Sequence, residues 1–276
     1  MFHIIHRAHP QLWDALAALV REVGSGYICS TFRPDDFPAE RWCEKLSALS
    51  IKPAPADAMA AGETLAQSIH TALSERRAGF LMLDELNVRS TEAVAACARV
   101  MAARHPEHSG RWGAFLVHGT SVAYPNLNRT GAIDALLKAG AHVSVEIYPR
   151  CSMALRQPAP DDWLAAFLRG EAVGGSVFPK RFLWLMDRRR ELNSSSTFSL
   201  LTGVTNSYLD VPEQRVSFLE RCLRVWSGQP GLGELFRRDR GGFGSYKWDN
   251  NPGGVDRVTD PELDTAFVEL WKRTCK

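Results

Sequence analysis

Glu85 follows Asp84 directly after the uncharged run GFLML over 79–83. A carboxyl at the end of such a run is partly desolvated, which raises its pKa toward the working range of a general acid. Glu146 lies in the stretch 141–148, where Val143, Val145 and Ile147 alternate with Ser144, Glu146 and Tyr148. Strand residues alternate in direction, so the apolar set is expected to pack outward and Glu146 to point inward. A charge turned inward needs a partner, and Arg150 or a neighbouring strand is the expected source.

Two carboxyls on one rim are the minimum apparatus for breaking a glycosidic bond. One protonates the leaving oxygen, and the other attacks the anomeric carbon or activates water. The expectation is that Glu85 serves as general acid/base and Glu146 as second carboxylate, with Asp84 tuning Glu85. Asn87, His118, Tyr148, Asn206, Tyr246, Trp248 and Asp249 are expected to line the substrate subsite. The aromatic members offer flat apolar faces to sugar rings. The same rim also suits a glycan- or protein-binding barrel without turnover.

These residues need strands to carry them to a common edge. Strand-like segments fall at 2–6, 27–32, 79–83, 112–117, 141–148, 197–204 and 241–249, with 181–186 (RFLWLM) ambiguous between strand and helix. Helical spacing falls at 10–23, 38–49, 62–77, 90–105, 128–138, 160–168, 212–226 and 261–271. Strand and helix signals alternate, with about eight strand candidates, the number a (β/α)₈ barrel needs. The expectation is α/β class, a (β/α)₈ TIM barrel in a single domain over 1–276. An open doubly wound sheet is the rival, but no GxGxxG follows a strand and no P-loop is present.

The segment GFLMLDELN resembles the strand-to-acid element of the (β/α)₈-barrel glycoside hydrolase superfamily. The late segment GGFGSYKWDNN resembles the closing strand of chitinase-like barrels, whose Trp floors the sugar site. The resemblance implies a barrel hydrolase acting on a carbohydrate without a cofactor. The DxxDxDxE run of chitinases is missing, and no Glu stands at the end of the expected seventh strand.

Composition excludes other classes. The net charge of +2 gives no basic field for nucleic acid, and no apolar run has the length of a membrane span. The six cysteines show no metal-ligand spacing and suit buried thiols in a reducing compartment. No signal-peptide pattern opens the chain, so a cytoplasmic protein is expected, or a secreted one if a leader was removed. A metal-dependent hydrolase is the third reading, from His3, His6 and His9, but HIIH sets His3 and His6 on opposite faces of a strand. No metal ligands are therefore assigned.

Overall fold

The computed structural model describes residues 4–6, 27–30, 33, 35–47, 57–86, 90–116, 128–146, 172–173, 176–177, 181–203 and 242–247, with a few isolated helical or turn positions besides. In chain order the elements are β1 (Ile4–His6), β2 (Ile28–Ser30), β3 (Trp42–Ser47), α1 (Ala58–Ser74), β4 (Phe80–Leu86), α2 (Thr91–Arg104), β5 (Trp112–Leu116), α3 (Ala132–Lys138), β6 (His142–Glu146), β7 (Ala172–Val173), β8 (Ser176–Val177), α4 (Arg181–Glu191), β9 (Phe198–Gly203) and β10 (Gly242–Lys247). Short 3₁₀ turns lie at Ala39–Arg41, Pro106–His108 and Asn128–Thr130.

All strands except the β7–β8 hairpin pair in parallel, in the order β1-β10-β9-β6-β5-β4-β3-β2. The substantial part is a curled sheet of six strands, β10-β9-β6-β5-β4-β3, each five to seven residues long. β1 and β2 have three residues each and span the gap between β10 and β3 through pairings of two or three residues.

The (β/α)₈ barrel expected from the sequence is therefore corrected. The chain is α/β, but among the described residues its six longer strands build a curled half-barrel with four α-helices, β1 and β2 add only three residues each, and no eightfold strand–helix repeat is seen among those residues. Two segments depart from the expected alternation of strand and helix. The expected helix at 38–49 is a 3₁₀ turn followed by β3. The segment RFLWLM opens α4 instead of forming a strand.

β3 misleads because Trp42, Leu46 and Leu49 fit helical spacing, while Cys43 and Lys45 share one strand face. A short apolar run does not distinguish the two periods. In α4 the decision comes from the charged half. Arg188 pairs with Glu191 and Arg190 with Asp187, both at i,i+3 spacing. Arg188 also grips the Asp134 carboxylate of α3 through Nε (2.8 Å) and Nη2 (2.5 Å), which holds that carboxyl below its usual range. Leu185 turns fully into the core.

The main core lies between the outer face of the sheet and the helices. Leu81, Leu83 and Leu86 of β4, Trp112, Ala114 and Leu116 of β5, and Val143 and Val145 of β6 meet Leu65, Ile69, Val94, Met101, Ile133 and Leu136. Each large side chain fully buried there contributes about 1.5–3 kcal/mol. α1 and α2 approach closely because Gly62 faces Ala96. A Cβ on Gly62 would lie 2.4 Å from Ala96 Cβ and 2.8 Å from both the Ala93 carbonyl oxygen and the Cys97 nitrogen. On an open helix face, Gly→Ala stabilises by about 1 kcal/mol. Here Gly62→Ala is expected to destabilise by about 1–3 kcal/mol through overpacking against backbone. Urea unfolding measures the sign directly, and stabilisation would refute this close approach.

Candidate functional site

The inner face of the curled sheet divides into an apolar and a polar half. Cys29, Cys43, Phe80, Met82 and Phe115 cluster on the apolar side, with Tyr27 against them. Burial holds the Cys43 thiol well above its ordinary range, with a hydrogen bond to Cys29 acting in the same direction, so this thiol is not poised for nucleophilic chemistry. Gly113 lies next in register to both Met82 and His142. A Cβ there would meet the His142 carbonyl oxygen at 2.1 Å. Phe80 meets the His142 ring edge-on, with centroids 5.8 Å apart.

The polar half lies on β6 and β9. His142 Nδ1 is 2.7 Å from Thr197 Oγ1, and its Nε2 is 2.9 Å from Ser199 Oγ. The Ser199 hydroxyl donates to Ser144 Oγ at 2.9 Å. With its proton committed to Ser144, Ser199 accepts from His142 Nε2–H. A neutral imidazole protonated on Nε2 accepts at Nδ1 from the Thr197 hydroxyl. Burial enforces the same state by lowering the His142 pKa to about 3.

Above these layers, Lys45 Nζ meets Asp84 Oδ2 at 2.7 Å, with side-chain exposures of 13% and 23%. Asp84 is next in register to Ser47. β4 is irregular at this point. Leu83 pairs with Ala114 and Leu86 with Leu116, so three steps along β4 match two along β5. The extra residue makes a bulge at Asp84–Glu85, and it explains a change of phase. Leu81 and Leu83 reach the outer core at odd positions, and Leu86 reaches it at an even one.

The sequence-derived site residues fall as follows. Asp84 is ion-paired to Lys45. Glu85 is a β4 residue in the bulge, and Glu146 ends β6 beside Leu201, but both side chains lie outside the described set. Tyr246 is a β10 position in register with Gly203 and Ile5, and its side chain is likewise outside that set. Asn87, His118, Tyr148, Asn206, Trp248 and Asp249 lie outside the described residues. Along the chain each follows the C-terminal end of β4, β5, β6, β9 or β10 by one to three residues. These five strands are neighbours and parallel, so the segments issue from one edge of the sheet.

No protein-family model and no curated protein matches the chain. Among the described residues, no helix is long and apolar enough to cross a membrane.

Lys45 escapes sequence reasoning, because the segment 38–49 fits helical spacing. The signal that would have found it is the alternation of Cys43, Lys45 and Ser47.

The His142 network predicts a pH effect on stability. An unfolded histidine takes up a proton near pH 6.5, whereas the buried one resists it down to about 3. The unfolded state therefore binds more protons as pH falls, and stability drops by about 1.4 kcal/mol per unit below pH 6.5. His142→Gln is expected to be less stable at pH 7 and to flatten that slope between pH 6.5 and 5. Denaturant titrations at several pH values read both, and an unchanged slope would show that His142 is not held neutral.

Proposed function

We propose that this chain is a hydrolase acting on a carbohydrate, with Glu85 and Glu146 as its paired carboxylates at the C-terminal edge of the curled sheet. The observation that carries the reading is the β4 bulge. Bulges are enriched next to active sites, where they re-aim a side chain, and this one falls on the acidic pair at the end of an apolar strand. Asp84 already has a cationic partner in Lys45, and the proton transfer is assigned to Glu85.

The polar half of the inner face supports Glu146 as the second acid. His142 and Ser144 belong to the buried hydrogen-bond chain on that face, and position 146 continues their alternation one step nearer the edge. β4 and β6 flank β5, so two strand spacings separate them, about 10 Å at the backbone. Two glutamate side chains across such a span reach the separations of paired glycosidase carboxylates, about 5–9.5 Å. Asn87, His118, Tyr148, Asn206, Tyr246, Trp248 and Asp249 then furnish hydroxyl contacts and stacking surface around the sugar. The mechanism draws on no cofactor. Glu85 protonates the leaving oxygen, and Glu146 attacks the anomeric carbon or activates water.

The test is a screen of nitrophenyl glycosides and polysaccharides with wild-type protein, followed by Glu85→Gln and Glu146→Gln on any substrate found. Either change is expected to lower kcat by about 10²–10⁴-fold, the usual worth of a general acid or base. Substrate affinity measured by calorimetry should hold. Glycan binding without turnover by the wild type, or full turnover by both variants, would overturn the assignment.

A further inference from the structure

Three imidazoles and a carboxylate converge at the opposite end of the molecule. His70 lies near the C-terminus of α1, His105 follows the last residue of α2, and Glu107 and His108 lie in the 3₁₀ turn leading to β5. Helices between parallel strands run back against them, so this cluster lies toward the N-terminal ends of β4 and β5, away from the edge that carries Glu85.

The ligand atoms are close. His70 Nδ1 is 3.1 Å from His108 Nε2. Glu107 Oε1 lies 3.8 Å from His70 Nδ1, 3.7 Å from His105 Nδ1 and 3.7 Å from His108 Nε2. Donor atoms of His70, His105 and Glu107 all fall within 4.8 Å of one another. A tetrahedral zinc ion with bonds of about 2.0–2.2 Å holds its ligand atoms about 3.3 Å apart, inside the spread seen here. The Ser74 hydroxyl lies 3.4 Å from both His70 Nδ1 and His108 Nε2 and borders the same space.

The scaffold around this space is fixed. His70 and Ser74 share a face of α1 at i,i+4. The His105 N–H donates to the Met101 carbonyl at 3.0 Å, and the His108 N–H donates to the His105 carbonyl at 3.1 Å. Pro106 opens the turn, where its missing N–H costs nothing. The rings of His70 and His105 stack with centroids 4.0 Å apart. The only carboxylate close to the three rings among the described contacts is Glu107, and its side chain is 55% exposed, which leaves an entry path for an ion.

We propose that His70, His105, Glu107 and His108 form a structural zinc site that ties the end of α1 to the turn between α2 and β5. The donor set is nitrogen and oxygen, which suits a borderline ion such as Zn²⁺ over Mg²⁺ or Ca²⁺. His70, His105 and Glu107 supply three donor atoms close to one another, and His108 Nε2, near His70 Nδ1 and Glu107 Oε1, supplies the fourth that closes a structural site. The site is independent of the proposed hydrolase chemistry and stands or falls without it.

The experiment uses untagged full-length protein stripped with a chelator. Zn²⁺ is titrated in competition with a chromophoric chelator, Co²⁺ is added as a spectroscopic substitute, and melting is followed with and without Zn²⁺. The wild type is expected to bind one ion per chain, to show the intense visible bands of tetrahedral Co²⁺, and to melt at a higher temperature with zinc. His70→Ala with His105→Ala should weaken Zn²⁺ by more than about 100-fold, beyond what loss of a mere supporting residue costs, and should abolish the melting shift. Glu107→Gln, at an exposed position, keeps the fold intact and should weaken binding at least tenfold. Absence of tetrahedral Co²⁺ bands in the wild type, or zinc affinity unchanged in the double variant and in Glu107→Gln, would overturn the proposal.

Discussion

One surplus residue in β4 sets the arrangement of everything around it. Parallel neighbours must advance in step, and between Leu83 and Leu86 β4 has one residue more than β5 does opposite. The strand absorbs the surplus as a bulge at Asp84–Glu85. The outward leucines then change from odd to even positions without leaving the core. Removing the surplus would send either Leu86 or Leu83 to the wrong face, since a one-residue slip exchanges the faces of a strand. The cost of the bulge is local disruption of the ladder at a point where two acidic residues adjoin a buried sheet. The Lys45–Asp84 pair offsets half of that charge, and the apolar cluster of Cys29, Cys43, Phe80, Met82 and Phe115 lies beneath it.

The two ends of the sheet are built differently. Toward the N-terminal ends of the strands, contacts are dense and specific. His142 is locked into a hydroxyl chain, Gly113 leaves room for His142, Phe80 meets that ring edge-on, and the histidine cluster adjoins the helix ends. Small side chains let α1 and α2 come together above it. At the C-terminal edge, the segments that follow β4, β5, β6, β9 and β10 are rich in polar and aromatic residues. A rigid base and a chemically varied rim is the division of labour that α/β sheets commonly use, with loops carrying chemistry and the opposite end carrying stability.

Much of this was legible in the residues, and the losses have physical causes. β4 and β5 were clear because their apolar runs admit few readings, and β6 because of its alternation, with Val143 and Val145 facing the helices as that alternation requires. β3 was hidden because its six residues satisfy helical and strand periods alike, and its partner choice depends on β4, far away in sequence. RFLWLM was ambiguous until the following Arg188–Glu191 pairs extended it into a helix. Those two segments are where the expected alternation of strand and helix fails. The histidine cluster was illegible for another reason. His70 and the pair His105 and His108 are brought together by the packing of α1 on α2, and no local spacing announces it. The bulge was equally hidden, because register is a property of two strands and the β4 sequence alone does not count residues in β5.

The central claim is that β4 departs from regular pairing at the acidic pair and nowhere else along its length. Residue-resolved amide hydrogen exchange under native conditions tests it most directly. The amides of Leu81, Met82 and Leu83 are predicted to exchange slowly, near the global unfolding limit, while an amide within Asp84–Leu86 exchanges far faster because the bulge leaves it unpaired. Uniform protection from Leu81 to Leu86 would show a regular ladder and contradict the account.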